Sequence, residues 1–388
     1  MKIVNLEILK LRREEPLVPK GFWEERFVRP IDLYERFRGE GPWTTGEESP
    51  FEQLFLRILA DDGSEGFFGP ISSEVANMIM FNLKTVILDE DPFGVEKIWD
   101  IMYRSQVHGR KGEKMMAISA VDCALWDLIG KAKREPVVRL LGGPVREKVP
   151  AYASMLGFSL EPKKVAERCQ EYLDYGFRAM KWFFRYGPED GVRGIERNVN
   201  LVKTIRDAVG YNVDLMLDCW MSWSVPYTIR MARLIEKYEI TWLEEPLMPD
   251  NIEGYVKIRK NINIPIAAGE HEYTRWGARE LLKHNAVDIL QMDVKWAGGI
   301  TEMRKICALA SAEGIPVIPH AGWVEPAQCI IFSQPEDVCP MIEYLVKWAE
   351  IQQAFNREKL TPKKGYFYAP TKIGLGFELQ MDKLAKDQ

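Results

Sequence analysis

Seven side chains able to bind a metal or move a proton each stand at or near the end of a short apolar run. In chain order they are Lys181 in FRAMKWF, Asp218 in LMLD, Glu244 in TWLEEP, Glu270 in PIAAGE, Asp293 in ILQMD, His320 in PVIPH and Glu343 in MIEYL. From Asp218 onward the steps are 26, 26, 23, 27 and 23 residues. Each step is about the length of one strand, one helix and two short loops, so parallel strands would lift these groups onto one rim. Asp218, Glu244 and Glu270 form a hard oxygen set suited to Mg²⁺. A lone strand-end carboxylate is more often a helix cap, but three at this spacing point to a shared ion. Asp293 and His320 follow on the next two strands, and an imidazole held by a carboxylate through one nitrogen offers the other as a base. A lone histidine is more often a packed one. Here two of only four, His271 and His320, fall on the rim. His271 follows Glu270 at the strand exit, within reach of a substrate, whereas His284 lies inside a helical stretch.

Strand alternation sorts the neighbours of these residues. Trp242 and Glu244 share a face, and Glu245 is expected to point outward as a loop or ion-pair residue. Ala179, Lys181 and Phe183 face inward together. The Lys181 ammonium can stabilise an oxyanion or pair with a ligand carboxylate, and Phe183 offers no titratable group.

The elements that must carry this rim are legible around it. VPAYA is expected as the first barrel strand after the Gly142-Gly143-Pro144 breaker. EPKKVAERCQEYLDYG, NVNLVKTIRDAVG, PYTIRMARLIEKYE, NIEGYVKIRKNIN, TRWGARELLKHN and TEMRKICALASAEG fill the gaps with helical periodicity. AGWVEPA after His320 reads as a loop and is no glycine-rich phosphate cradle. The first ~130 residues lack the strand–helix rhythm. MKIVNLEILKLRRE alternates as a strand, FEQLFLRILADDGSEGFFGPIS reads as a hairpin, and three helical stretches follow. The fold class is therefore α/β: a parallel barrel with an N-terminal α+β cap. The expected limits are 1–140 for the cap, 141–349 for the barrel and 350–388 for a segment returning to the cap. Residues 16–50, rich in Pro, Gly, Trp and Arg, are too long for an ordinary hairpin loop and are expected to form a lid.

Composition narrows the function. The net charge of −5 argues against a nucleic-acid partner. No apolar segment is long enough to cross a bilayer, and no membrane role is expected. The N-terminal run, broken by Asn5, Glu7 and Lys10, does not read as a signal peptide. Six cysteines without CxxC or zinc spacing fit a reducing cytoplasm.

As a set and in this order, LDCW, WLEEP, AAGEHE, QMDVKWAGG and IPH resemble the enolase superfamily, in its mandelate racemase subgroup. The resemblance spans essentially the whole chain. It implies a modified TIM barrel, (β/α)7β, beneath the cap, with Mg²⁺ on Asp218, Glu244 and Glu270. It also implies a His320–Asp293 dyad and a catalytic Glu343 on the eighth strand. Within the subgroup, MLDCWMS, GEHE, TRWG and RPIDLYERFR are most similar to acid-sugar dehydratases of the rhamnonate type. Residues 16–50 contain none of the lid histidines of those enzymes. The expected reaction is conversion of an aldonate to its 2-keto-3-deoxy acid. His320 removes the C2 proton, Lys181 and Mg²⁺ stabilise the charge, and His320 or His271 protonates the departing hydroxyl. A Glu343 that donates to the substrate carboxylate must be protonated, so a raised pKa is expected. Trp23, Arg26 and Trp43 are the lid candidates for the polyol tail. The resemblance further implies a small-molecule acid-sugar partner and a homo-oligomer. A racemase or epimerase is the rival reading. It needs a second base, which Lys181-Trp182-Phe183 lacks where the racemases have Lys-x-Lys.

Overall fold

The alternating N-terminal run folds as β1 (Ile3–Arg13), which pairs antiparallel with β2 (Phe51–Ala60). Asp62-Gly63 then turns β2 into β3 (Glu65–Ile71). The computed structural model describes residues 1–39 and 41–385. Across the sheet lies the helix Glu113–Lys133, buried on nearly every side from Ala117 to Gly130. Its all-round burial reflects a second partner, the barrel helix Gly299–Ala312. A polar stripe at helical spacing makes that joint. Ser119 Oγ accepts from Gly298 N (2.8 Å), Asp122 Oδ2 from Thr301 N (2.9 Å), and Trp126 Nε1 donates to Thr301 Oγ1 (2.9 Å). Asp122 thus faces the positive end of the barrel helix.

Seven strands form the parallel sheet: β4 (Lys148–Ser154), β5 (Ala179–Phe183), β6 (Asp214–Asp218), β7 (Trp242–Glu244), β8 (Ile266–Ala268), β9 (Ile289–Leu290) and β10 (Ile342–Leu345). They follow chain order from β4 to β9, and β10 returns to pair with β4. The register sets Phe183 beside Asp218 and Asp218 beside Glu244. Directly below them Tyr152, Ala179, Met216, Trp242, Ala267 and Ile318 fill the barrel interior as a separate apolar cluster. The inward alternation expected for Ala179 and Trp242, which Met216 shares, places Lys181, Asp218 and Glu244 one layer above that plug.

Two expectations need correction. PVIPH is no full ladder strand: it runs beside β9 through Leu290 N to Pro316 O (3.0 Å), Ile318 N to Leu290 O (2.9 Å) and His320 N to Gln291 O (3.2 Å), but only Val317 forms a bridge, to Leu290. Pro316 and Pro319 bracket the segment and remove the donors a strand needs. Nor is the stretch after His320 a loop throughout, since Val324–Phe332 is a fully buried helix. Pro326 sits in its first turn, where a missing N–H costs nothing.

A last strand, β11 (Tyr366–Tyr368), pairs antiparallel with the start of β4, and the chain then runs back to the cap. Leu375 N bonds to Asp127 Oδ1 (2.9 Å) while Phe67 N takes Asp127 Oδ2 (2.8 Å), so one buried carboxylate ties tail, hairpin and helix together. Leu384 bridges to Leu11. All six cysteines are free and buried. No helix among the described residues is long and apolar enough to cross a membrane.

Glu325 offers a stability test away from the rim. Its Oε1 accepts from Asn356 Nδ2 (3.0 Å), its Oε2 has no partner among the described residues, and burial pushes its carboxyl up to about 8. The folded protein then holds a proton that the unfolded chain releases near the ordinary glutamate value. Stability therefore falls as pH rises from that value towards 8. Glu325→Gln is expected to raise the melting temperature at the alkaline end, by about 1–3 kcal/mol of stability, and to change little near pH 4.5. Thermal melts across pH check this.

Candidate active site

Lys181 stands at the centre of the mouth, only 1 % exposed, among three carboxylates. Its ammonium lies 3.1 Å from Asp218 Oδ2 and 2.9 Å from Glu343 Oε1, and it also bonds Glu244 Oε1. Burial alone would lower its pKa, but Glu244, Glu343 and Asp218 outweigh burial and hold it charged. Glu244 Oε2 takes Trp242 Nε1 (2.9 Å) and Gln291 Nε2 (2.8 Å). Glu343 Oε2 takes Ala321 N (3.2 Å). The raised pKa expected for Glu343 is not found: although burial pushes it up, Lys181 and His320 together hold it below the ordinary value. Glu343 is an ionised partner of Lys181.

Glu270 reaches this layer by a different route. β8 ends at Ala268, and strict alternation from inward Ala267 would turn Glu270 away. Gly269, at φ +123°, breaks the alternation and swings Glu270 back into the mouth. There its carboxyl is pushed up to about 7 by burial, with Glu245 adding to the shift. Asp218 is raised as well, by burial and by Glu244.

Two imidazoles flank Glu270, each oriented by its own carboxylate. His320 Nδ1 is 2.6 Å from Asp293 Oδ2, and Gly322 N also bonds that oxygen (3.2 Å). With Nδ1 held, Nε2 faces the mouth, 3.7 Å from Glu270 Oε2 and 4.0 Å from Glu343 Oε2. Burial disfavours its charge, but Glu270, the Asp293 bond and Glu343 push its pKa up to about 10. His271 Nδ1 is 2.7 Å from Glu245 Oε2, the ion-pair role expected for Glu245, but Glu245 plays it from a buried place at the mouth beside Glu270 and does not point outward as expected. That carboxylate overrides burial and raises His271 to about 9. Trp296 packs against both imidazoles, at 5.0 Å from His320 and 5.5 Å from His271.

The lid covers a cavity of about 200 Å³ above these groups, which Lys181, Asp218, Glu270 and His320 line. Trp43 lines it as anticipated, together with Phe27. Trp23 and Arg26 do not. Trp23 is buried against Gly157, which at φ +77° leaves no room for a Cβ beside the ring, and its Nε1 bonds Thr45 O (2.9 Å). Arg26 is spent on Asp32 (2.7 Å) and Arg38 O (2.5 Å). Both residues shape the lid from within.

Comparison with known proteins agrees with this architecture. Residues 164–383 match the enolase C-terminal domain-like family, and residues 49–142 match the mandelate racemase/muconate lactonizing enzyme N-terminal domain. The chain belongs to the mandelate racemase branch of the enolase superfamily. Among its relatives, L-rhamnonate dehydratase of Saccharopolyspora erythraea is 40% identical over 297 residues, covering 76% of this chain and 73% of that protein. The Gibberella zeae rhamnonate dehydratase, solved in complex with Mg, superposes with a TM-score of 0.86 at 30% identity, covering 98% of this chain and 95% of that one. The 3,6-anhydro-D-galactonate cycloisomerase of Zobellia galactanivorans gives 0.80 at 29% identity over the full length of both.

For a member of this superfamily the donor chemistry of the rim suits a hard divalent cation. Asp218, Glu244 and Glu270 are three buried carboxylates at one mouth, of which Lys181 pairs with Asp218 and Glu244; burial first, and neighbouring carboxylates second, raise the pKa values of Asp218 and Glu270. A different set is drawn tighter: among the described residues, the ligand atoms of Glu245, Glu270 and His271 all lie within 4.8 Å of one another. In the first set Asp218 and Glu244 share the Lys181 ammonium, and the three do not fall within that span.

Proposed function

We propose that this protein is a Mg²⁺-dependent dehydratase that converts an aldonate to its 2-keto-3-deoxy acid. The observation that carries this reading is the one-sided supply of bases at the reacting carbon. The dyad places His320 Nε2 at the mouth beside Glu270, while β5 brings only a lysine saturated by carboxylates and then Phe183. The 40% identical rhamnonate dehydratase supports the same reaction class.

Asp218, Glu244 and Glu270 would hold the Mg²⁺, which when bound supplies positive charge to the substrate carboxylate and so acidifies the C2 proton. With Glu270 committed to the ion, the anionic charge that holds the metal-free imidazole protonated would be withdrawn, freeing His320 Nε2 to take that proton while Asp293 stabilises the imidazolium that forms. Lys181, positioned by Glu343, keeps an ammonium beside the developing oxyanion. The C3–O bond then breaks as electrons return to form the C2–C3 double bond. The departing hydroxyl takes a proton from His320, or from His271 held charged by Glu245, and leaves as water. The resulting enol ketonises to the 2-keto-3-deoxy acid. Six Phe and Trp rings line the cavity, Phe27 and Trp43 from the lid among them, and so limit its access to water.

Incubating the protein with Mg²⁺ and a panel of aldonates and aldarates in D₂O tests this. Release of a 2-keto acid, with the C3 hydroxyl lost, is the expected NMR result. Deuterium appearing at C2 of an otherwise intact acid would instead establish epimerisation.

A further inference from the structure

Two polar side chains in the cavity are left unused by this chemistry, and neither was singled out from the sequence. Lys295 leaves the barrel two residues beyond Asp293 and lines the cavity. Its backbone N–H bonds Asp293 Oδ1, but its Nζ makes no hydrogen bond or ion pair among the described residues. Burial lowers its pKa below the ordinary lysine value, although Asp293 pulls the other way. Gln352 ends the helix Val346–Gln352 and lines the same cavity, 7 % exposed, with no partner for its Oε1. Lys181, the other amino group in the cavity, is fully engaged by Asp218, Glu244 and Glu343.

Buried polar groups are rarely left unbonded, and the unbonded Gln352 oxygen, in a cavity that also holds a half-buried, unpaired ammonium, is a cost that a ligand can remove. Resting on the dehydratase reading above, we propose that Lys295 and Gln352 form a tail-reading pair that holds a hydroxyl of the acid sugar beyond the reacting C2–C3 bond. A hydroxyl oxygen accepts from the ammonium while its proton goes to the amide oxygen, so one group spends both side chains. A second carboxylate would satisfy Lys295 but, with the Gln352 oxygen as the buried unbonded atom, would set that oxygen against another acceptor unless the amide turned over. The pair therefore selects aldonates with a hydroxylated tail over aldarates, and the rings of Trp43, Trp220, Trp296 and Trp348 take the C–H faces.

The test uses Lys295→Met and Gln352→Leu in the full chain with Mg²⁺. The substrates are five- and six-carbon aldonates, their singly deoxygenated tail analogues, and the matching aldarates. Each variant is expected to lose about 10–100-fold in kcat/KM, mainly through KM, on an aldonate carrying the recognised hydroxyl. On the analogue lacking that hydroxyl the loss should vanish. Without substrate, Gln352→Leu should melt at or above the wild-type temperature, because an unsatisfied buried oxygen has been removed, and Lys295→Met, at a half-buried position, should melt close to it; a purely structural role would lower both. If Lys295→Met does not fold, Lys295→Gln serves in its place. Undiminished kcat/KM, or an equal loss on every analogue, overturns the proposal. So does a Lys295 variant that stops C2 deuterium exchange from one epimer only, which would make Lys295 a base. A wild-type protein that dehydrates no member of the panel defeats the dehydratase reading itself, and this inference with it.

Discussion

His320→Asn is expected to lower dehydration by about 10³-fold while leaving Mg²⁺ and ligand binding near wild type. The imidazole is the one group that combines an Nδ1 locked on Asp293 (2.6 Å) with an Nε2 turned into the mouth. Asparagine matches much of its volume and can still donate to Asp293, so the pocket keeps its shape while losing the proton acceptor. Turnover by 2-keto acid release, C2 exchange in D₂O and calorimetric Mg²⁺ titration separate the two effects. Both turnover and exchange should fall, and the metal isotherm should not move. Turnover within a few-fold of wild type would remove His320 from the chemistry. Asp293→Asn should give a smaller loss, since it disturbs the orientation of the imidazole without deleting it.

The rim was legible because its strands repeat at a nearly fixed interval and alternate strictly over their last residues. That is why Lys181 and Glu244 could be assigned inward positions by alternation and Asp218 a rim position by spacing, which the register of β5, β6 and β7 matches. Glu270 was placed by spacing alone; alternation would have misdirected it, and the left-handed Gly269 that redirects it carries no periodic signal. The charge state of Glu343 depends on a lysine on another strand, 2.9 Å away, and no local pattern encodes that contact. The lid was least legible. It has no hydrophobic period, so which ring meets the cavity is decided by tertiary packing. Gly157 captures Trp23, Asp32 captures Arg26, and Phe27 and Trp43 are left to face the substrate space. Trp220, Trp296 and Lys295 lie only two or three residues beyond the rim acids. Following each strand past its last carboxylate would have found them.

Glu270→Gln is expected to weaken Mg²⁺ binding by at least about 10–100-fold, the range seen even when outer partners of a metal ligand are lost. Glu270 belongs both to the set Asp218, Glu244, Glu270 and to the tighter set Glu245, Glu270, His271, so its loss should be felt whichever holds the ion. Metal-free stability should move the opposite way. The Glu270 carboxyl is pushed up to about 7, so the metal-free fold loses stability as pH rises from the ordinary glutamate value to that point, and glutamine escapes this penalty. The variant should therefore melt higher than wild type without metal near pH 8 and gain less on adding Mg²⁺. The neighbouring pair of glutamates decides between the two sets. Mg²⁺ favours oxygen over an imidazole nitrogen, and Glu245 is already committed to His271 at 2.7 Å. Glu244→Gln should thus weaken the metal isotherm strongly, whereas Glu245→Gln should leave Mg²⁺ affinity close to wild type and release His271. The reverse result would move the ion to the Glu245 side and turn His271 from a candidate acid into a ligand.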